Sequence, residues 1–179
     1  TALRAESGLG ELLMRQGRMN EARQLLLHAD AGLEAALPVD APGRIEARLN
    51  RIAWHTLQGE LEQAHGLLGT LNPQVPTLLQ LPLLRARADL SERRGEGAAA
   101  LALRRTALRF SLSLHGEGKV ETAVCRVELA ETLLRLGQRP AALETLQHSV
   151  PTLERLQIEG APERRRVEGL MLLARGGRG

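Results

Sequence analysis

Residues 9–26, LGELLMRQGRMNEARQLL, are matched 120 positions later by residues 129–146, LAETLLRLGQRPAALETL. Leu9, Glu11, Leu13, Arg15, Gly17, Ala22 and Leu26 recur as Leu129, Glu131, Leu133, Arg135, Gly137, Ala142 and Leu146. Two further glycines fill the gap. Gly17, Gly59, Gly95 and Gly137 are spaced 42, 36 and 42 residues apart, and each is followed five residues on by an alanine: Ala22, Ala64, Ala100 and Ala142. Self-similarity at a period of 20–50 residues marks an array of small units. Each unit cannot bury its apolar face alone and does so against its neighbours.

The apolar spacing on both sides of the glycines is helical. Val120, Ala123, Val124, Val127, Ala130, Leu133 and Leu134 precede Gly137 in a three–four alternation, and Ala22, Leu25, Leu26, Ala29 and Leu33 follow Gly17 in the same rhythm. Each unit therefore reads as two antiparallel amphipathic helices joined at a glycine that can take the left-handed conformation. The alanine sits where the second helix meets the first and lets the axes approach. Breakers separate the units: PVDAPG at 38–43, NPQVP at 72–76, HGEG at 115–118 and EGAP at 159–162. No segment shows sustained strand alternation.

The Leu9-Gly10 and Leu129-Ala130 pairs, the turn glycine and the second-helix alanine resemble the tetratricopeptide repeat family. The 42-residue spacing, long second helices and the stretch at 107–138 are more similar to its kinesin-light-chain type, in a bacterial setting. The resemblance implies an all-α, right-handed superhelical solenoid of four hairpins plus a closing helix. As one domain over 1–179, its repeats would occupy about 3–37, 44–72, 78–117 and 119–158, with the closing helix near 161–175. Repeats two and three depart from the pattern, with Arg51-Ile52 and Arg87-Ala88 in place of the leading pair, and only Trp54 and Phe110 supply aromatics. The chain opens on Thr1 and ends RGGRG, so a piece of a longer protein is expected.

Composition narrows the class of work. With 43% apolar and 25% charged residues the chain is globular in character. The net charge is only +3, from 24 basic and 21 acidic side chains, so no one-signed field is implied. Arginine supplies every base but Lys119, which lifts the pI and also suits a GC-rich coding sequence. A single cysteine, Cys125, excludes an internal disulfide and fits a reducing, cytoplasmic setting. The uncharged run from Ala64 to Leu84 reaches membrane length, but Pro73, Pro76 and Pro82 are expected to break it.

Chemistry is hard to find. His28, His55, His65, His115 and His148 form no close pair with each other or with Cys125, so neither metal nor cofactor is expected. HGEGKVET at 115–122 has a phosphate-loop look, but Val120 follows the lysine and no strand precedes it. No Gly-x-Ser-x-Gly elbow appears. The chain reads as a non-enzyme. Nucleic acid is a rival because of Arg93-Arg94, Arg104-Arg105 and Arg164-Arg165-Arg166, but acids accompany the arginines and stacking residues are scarce.

The resemblance places partners on the concave face lined by each first helix. Glu11, Ala53, Asp89 and Glu131 stand six residues before the turn glycines; Arg15, Leu57, Arg93 and Arg135 stand two before. An acid four residues ahead of an arginine is the favourable order for a helical ion pair, at about 0.2–0.5 kcal/mol. The second unit instead offers an apolar stripe, Leu49, Ala53 and Leu57, either covered by a neighbouring helix or open to a partner's side chain. With Arg85 these form the expected site. Trp54 is expected to face a neighbouring helix. The function expected is a protein- or peptide-binding scaffold within a signalling or transcription-regulating protein. A small-ligand sensor is a second rival. Val167, Leu170, Met171 and Leu173 of the closing helix offer a route to self-association.

Overall fold

The computed structural model describes residues 2–155 and 162–176. Among them run ten helices: α1 (Ala2–Arg15), α2 (Met19–Ala36), α3 (Pro42–Gln58), α4 (Leu61–Gly69), α5 (Thr77–Arg93), α6 (Gly97–His115), α7 (Val120–Arg135), α8 (Arg139–Gln147), α9 (Val150–Arg155) and α10 (Pro162–Ala174). They divide into two compact units, Thr1–Gly95 and Glu96–Gly179, parted at the Gly95 turn.

The four turn glycines share one geometry. Their φ values are +76° at Gly17, +78° at Gly59, +77° at Gly95 and +74° at Gly137. At Gly17 the glycine amide donates to the Met14 carbonyl at 3.0 Å, and the next amide, of Arg18, reaches Leu13 at 2.9 Å. The same pair of bonds closes α3 through Gly59 and Glu60 (3.2 and 2.9 Å) and α7 through Gly137 and Gln138 (3.0 and 2.9 Å). Only a residue free to be left-handed lets the chain satisfy the last carbonyls this way. The residue after each glycine then caps the next helix, its carbonyl accepting the amide of Ala22, Ala64, Ala100 or Ala142 at 3.0–3.1 Å. All four alanines are fully buried. The repeated letters are thus a repeated turn and a repeated contact.

A sign test follows from two glycines with open space where a Cβ would sit. Gly59→Ala is expected to cost about 1–2 kcal/mol, because its left-handed backbone is retained. Gly66→Ala, in the exposed interior of α4, is expected to stabilise by about 0.5–1 kcal/mol. Opposite shifts of the urea midpoint check the pair.

In the first unit α1 packs on α2, α2 on α3 and α3 on α4, while α3 also touches α1 and α5. Leu13, Ala22, Leu26 and Trp54 form one cluster; Ile45, Leu49, Ile52, Ala64, Leu83, Ala86 and Leu90 form another. Trp54 meets its expectation: its Nε1 donates to the Met19 carbonyl of α2 at 3.0 Å. In the second unit α7 is the central helix, buried almost all round and flanked by α6, α8, α9 and α10. Its polar contacts are satisfied in part by a chain in which Thr122 meets the Ser111 hydroxyl at 3.0 Å and donates to the Gly116 carbonyl at 2.8 Å.

Three sequence expectations need correction here. The second helices α2 and α6 are long, but α4 and α8 have nine residues each. Gly66, Gly69 and Pro73 weaken the continuation of α4, and Pro151 has no amide to offer Gln147 beyond α8. Pro82 does not break its helix but lies inside α5. The carbonyl that loses its usual donor to Pro82, that of Leu78, belongs to a residue 82% exposed, where water can serve. Among the described residues no helix is long and apolar enough to cross a membrane. Finally, Val167 is buried and Leu170 and Met171 pack on the same core as α7 and α8, so most of the stripe expected to join copies is used internally. Leu173 alone of the four is exposed.

Candidate partner-binding surface

The first helices of three repeats, α1, α3 and α5, lie within the first unit, with α3 in contact with both others. Leu49 is not on their surface. It is 6% exposed and packs with Ile45, Ile52 and Leu83, which removes it from the expected site. Ala53 is half-buried and Leu57 is 47% exposed. The outward stripe of α3 therefore reads Glu46, Asn50, Ala53 and Leu57 at three–four spacing. Asn50 is committed to α1, donating through Nδ2 to the Ser7 hydroxyl at 3.0 Å. What it leaves open is a short uncharged strip, Ala53 to Leu57.

Charges stand on the helices to either side. Arg15 donates to Glu11 at 2.6 Å, the ion pair the spacing anticipates, with both side chains solvated. Such a pair stabilises by only a few tenths of a kcal/mol. On α5, Arg85 is half-buried while Asp89 and Arg93 are exposed.

The second unit treats the matching positions differently. Both oxygens of Glu131 are taken by Arg166 of α10, at 2.7 and 2.6 Å. The expected partner of Glu131, Arg135 on its own helix, is exposed. The hydrogen bonds to Glu131 outweigh burial and hold the Arg166 guanidinium above its ordinary pKa. An acid that sequence spacing gives to the groove is instead a clasp for the closing helix.

Sequence reasoning missed the strongest polar feature of the first unit. Asp30, with no exposed surface, accepts from Arg48 Nε at 2.8 Å and from Arg51 at 2.9 Å. Arg48 also donates to the Thr70 hydroxyl at 3.0 Å and pairs with Glu34 at 2.8 Å, and Arg44 pairs with Glu34 at 3.1 Å. Burial works to lower the Arg48 pKa, but the hydrogen bonds to Asp30 and Glu34 leave it raised. The second unit holds a comparable buried pair, Arg104 with Glu128 at 3.3 Å. A signal was present: Asp30 is four residues from Leu26 and three from Leu33, on the apolar stripe of α2, and Arg48 is likewise between Ile45 and Ile52 on α3.

Glu34 gives a pH prediction. The hydrogen bond from Arg48, then its charge, holds the Glu34 carboxyl below its ordinary pKa. A lowered acid contributes stability that is present above its unfolded pKa and lost as pH falls through the folded one. The stability difference between wild type and Glu34→Gln should therefore favour wild type at neutral pH and shrink on acidification below the ordinary carboxylate range. Urea midpoints at several pH values measure it.

Two of the five histidines pair with carboxylates: His55 Nδ1 lies 2.6 Å from Glu60, and His28 Nδ1 2.6 Å from Glu6 across the α1–α2 hairpin. Cys125 is buried. Among the described residues no three His, Cys, Asp or Glu side chains gather where they could hold a metal ion.

These hairpins and their shared turn define a helical-repeat protein. Residues 80–155 match the tetratricopeptide repeat family model. Its fold is similar to the crystal structure of kinesin light chain nearly identical tetratricopeptide-like repeats from Podosopora anserina, with a TM-score of 0.70, 19% identity, and coverage of 98% of this chain and 87% of that one. A point variant of that protein gives a TM-score of 0.71 at 19% identity and the same coverage. BtubC (BKLC) from P. vanneervenii gives 0.56 at 20% identity, covering 95% of this chain and 63% of that one. No curated protein sequence matches the chain. These likenesses show the all-α, tetratricopeptide-like solenoid fold. Repeats of this type are in general protein–protein interaction modules.

Proposed function

We propose that the chain is a non-catalytic module that binds a partner protein or peptide on the α1–α3–α5 face of its first unit, as part of a cytoplasmic bacterial signalling or transcription-regulating protein. The observation that carries the site is the uncharged strip of Ala53 and exposed Leu57 on α3, with Glu11 and Arg15 on one neighbouring helix and Asp89 and Arg93 on the other. An apolar centre that can be desolvated within a charged rim is the arrangement of an interaction hot spot. The rim would set the register of the ligand and the strip would supply most of the affinity.

The nucleic-acid reading loses ground on particular arginines. Arg104 is buried against Glu128, Arg166 is held by Glu131, and Arg94 lies 3.9 Å from Glu62. The side chains of Arg164 and Arg165 lie outside the described residues. A surface that tracks phosphates needs its bases unneutralised.

Leu57→Glu is the test. As a surface change it should alter stability by less than about 0.5 kcal/mol. Pull-down of partner proteins from nuclease-treated extract should nevertheless fall at least about tenfold. Retention of the same partners by the folded variant would refute the site.

A further inference from the structure

A second place in the first unit is built around charge. The Asp30 network opens on one side to a cleft of about 200 Å³, walled by Val39, Ile45 and Leu71. This is smaller than the ~300–1,000 Å³ of a drug-sized site, which restricts it to a small molecule or the end of a chain. Three guanidinium groups, of Arg44, Arg48 and Arg51, face two carboxylates, of Asp30 and Glu34. The cluster carries a surplus positive charge beside apolar walls.

The geometry points to a carboxylate on a short aliphatic chain as the ligand of this cleft, seated on Arg44 and Arg48 in the place Glu34 now holds. Glu34 shows what the pair accepts: one oxygen lies 3.1 Å from Arg44 and the other 2.8 Å from Arg48. Two carboxylate oxygens shared by two guanidiniums give a strong, charge-assisted arrangement. The two partners differ in how firmly they are held. Arg48 is 7% exposed and aimed by Asp30 and Thr70, and Arg44 is anchored on the Leu37 carbonyl at 3.2 Å. Glu34 is 49% exposed and is held only by these two arginines among the described residues, so it can swing into water while the arginines keep their aim. A fork already oriented loses little freedom on binding. The apolar walls then distinguish an aliphatic acid from a bare inorganic ion.

The test is an NMR titration of the full chain with butyrate at constant ionic strength. It follows the Arg44 and Arg48 Nε–H signals and the Thr70 and Leu71 amides. Butyramide serves as the neutral counterpart and inorganic phosphate as the bare anion. The proposal expects saturable shifts with butyrate, little with butyramide, and weaker ones with phosphate. Glu34→Gln, which removes the internal competitor, should tighten butyrate about tenfold, and Arg44→Gln should abolish the response. If Arg44→Gln fails to fold, Glu34→Gln decides alone. A dipeptide with a free C-terminal carboxylate, beside its amide, tells a peptide end from a free acid as the bearer. Equal shifts with butyrate and butyramide, equal shifts with phosphate, no response in wild type and Glu34→Gln, or no tightening in Glu34→Gln would each overturn the assignment.

Discussion

Asp30→Ala is expected to destabilise the first unit by about 3–5 kcal/mol, the range for removing one partner of a buried ion pair. Asp30 has no exposed surface and is the acceptor for both Arg48 and Arg51. Its loss leaves the Arg48 guanidinium, 7% exposed, with only Glu34 and Thr70, and neither reaches the Nε that Asp30 held. Domains of this size are stable by only about 5–15 kcal/mol, so the variant should be close to unfolding at physiological temperature. Replacing both charges, as Asp30→Leu with Arg48→Met, should recover much of the loss, because no unpaired ion remains in the interior. Urea unfolding followed by circular dichroism measures both variants. A loss below 1 kcal/mol for Asp30→Ala would mean that water reaches the site and that the network is not buried in solution.

The second large effect tests the repeat itself. Leu26 and Leu146 stand 120 residues apart, four residues beyond their buried alanines, and each is at most 1% exposed. Leu26 packs with Leu13 and Ala22, and Leu146 belongs to the same core as Leu133 and Ala142, the matching residues of the other unit. Leu→Ala at either place should cost about 2–5 kcal/mol through lost burial and an unfilled cavity. The two losses should agree to within about 1 kcal/mol, since a matching leucine and alanine pack on each. A large loss at one and a negligible loss at the other would show that the repeated letters do not encode a repeated contact.

The turns were legible because their residues have a single physical reason to be there. A glycine at positive φ and an alanine with no exposed surface are demands of backbone geometry and close packing, and both appear in the letters. The surface was less legible. Leu49, Ala53 and Leu57 look like one stripe at four-residue spacing, but four residues exceed a turn of 3.6. Over eight residues the direction drifts by about 80°. That drift carries Leu49 into the core while Leu57 stays in water. Glu131 shows a different limit of the letters. Its arginine four residues on is visible from spacing, but Arg166, which binds both its oxygens, is 35 residues away on α10. Local spacing cannot rank a neighbour on the same helix against a competitor brought by the fold. Asp30 and Arg48 are hard to recognise because a charged side chain on a helix is ordinarily solvated, although their positions on apolar stripes point inward.

The measurement that bears most directly on the binding face is site-specific photo-crosslinking from position 57 on α3, with position 63 on α4 as the comparison. Leu57 and Gln63 are both exposed, and they lie on opposite sides of the Gly59 turn. With a photoreactive residue at 57, a protein or peptide partner should be trapped from nuclease-treated extract of the source organism. Nothing comparable should be trapped from 63, and Ala53→Glu should abolish the product without changing the helical signal or the melting temperature. Crosslinks shared equally by the two positions, none from 57, or products indifferent to Ala53→Glu would contradict a binding face on α1, α3 and α5.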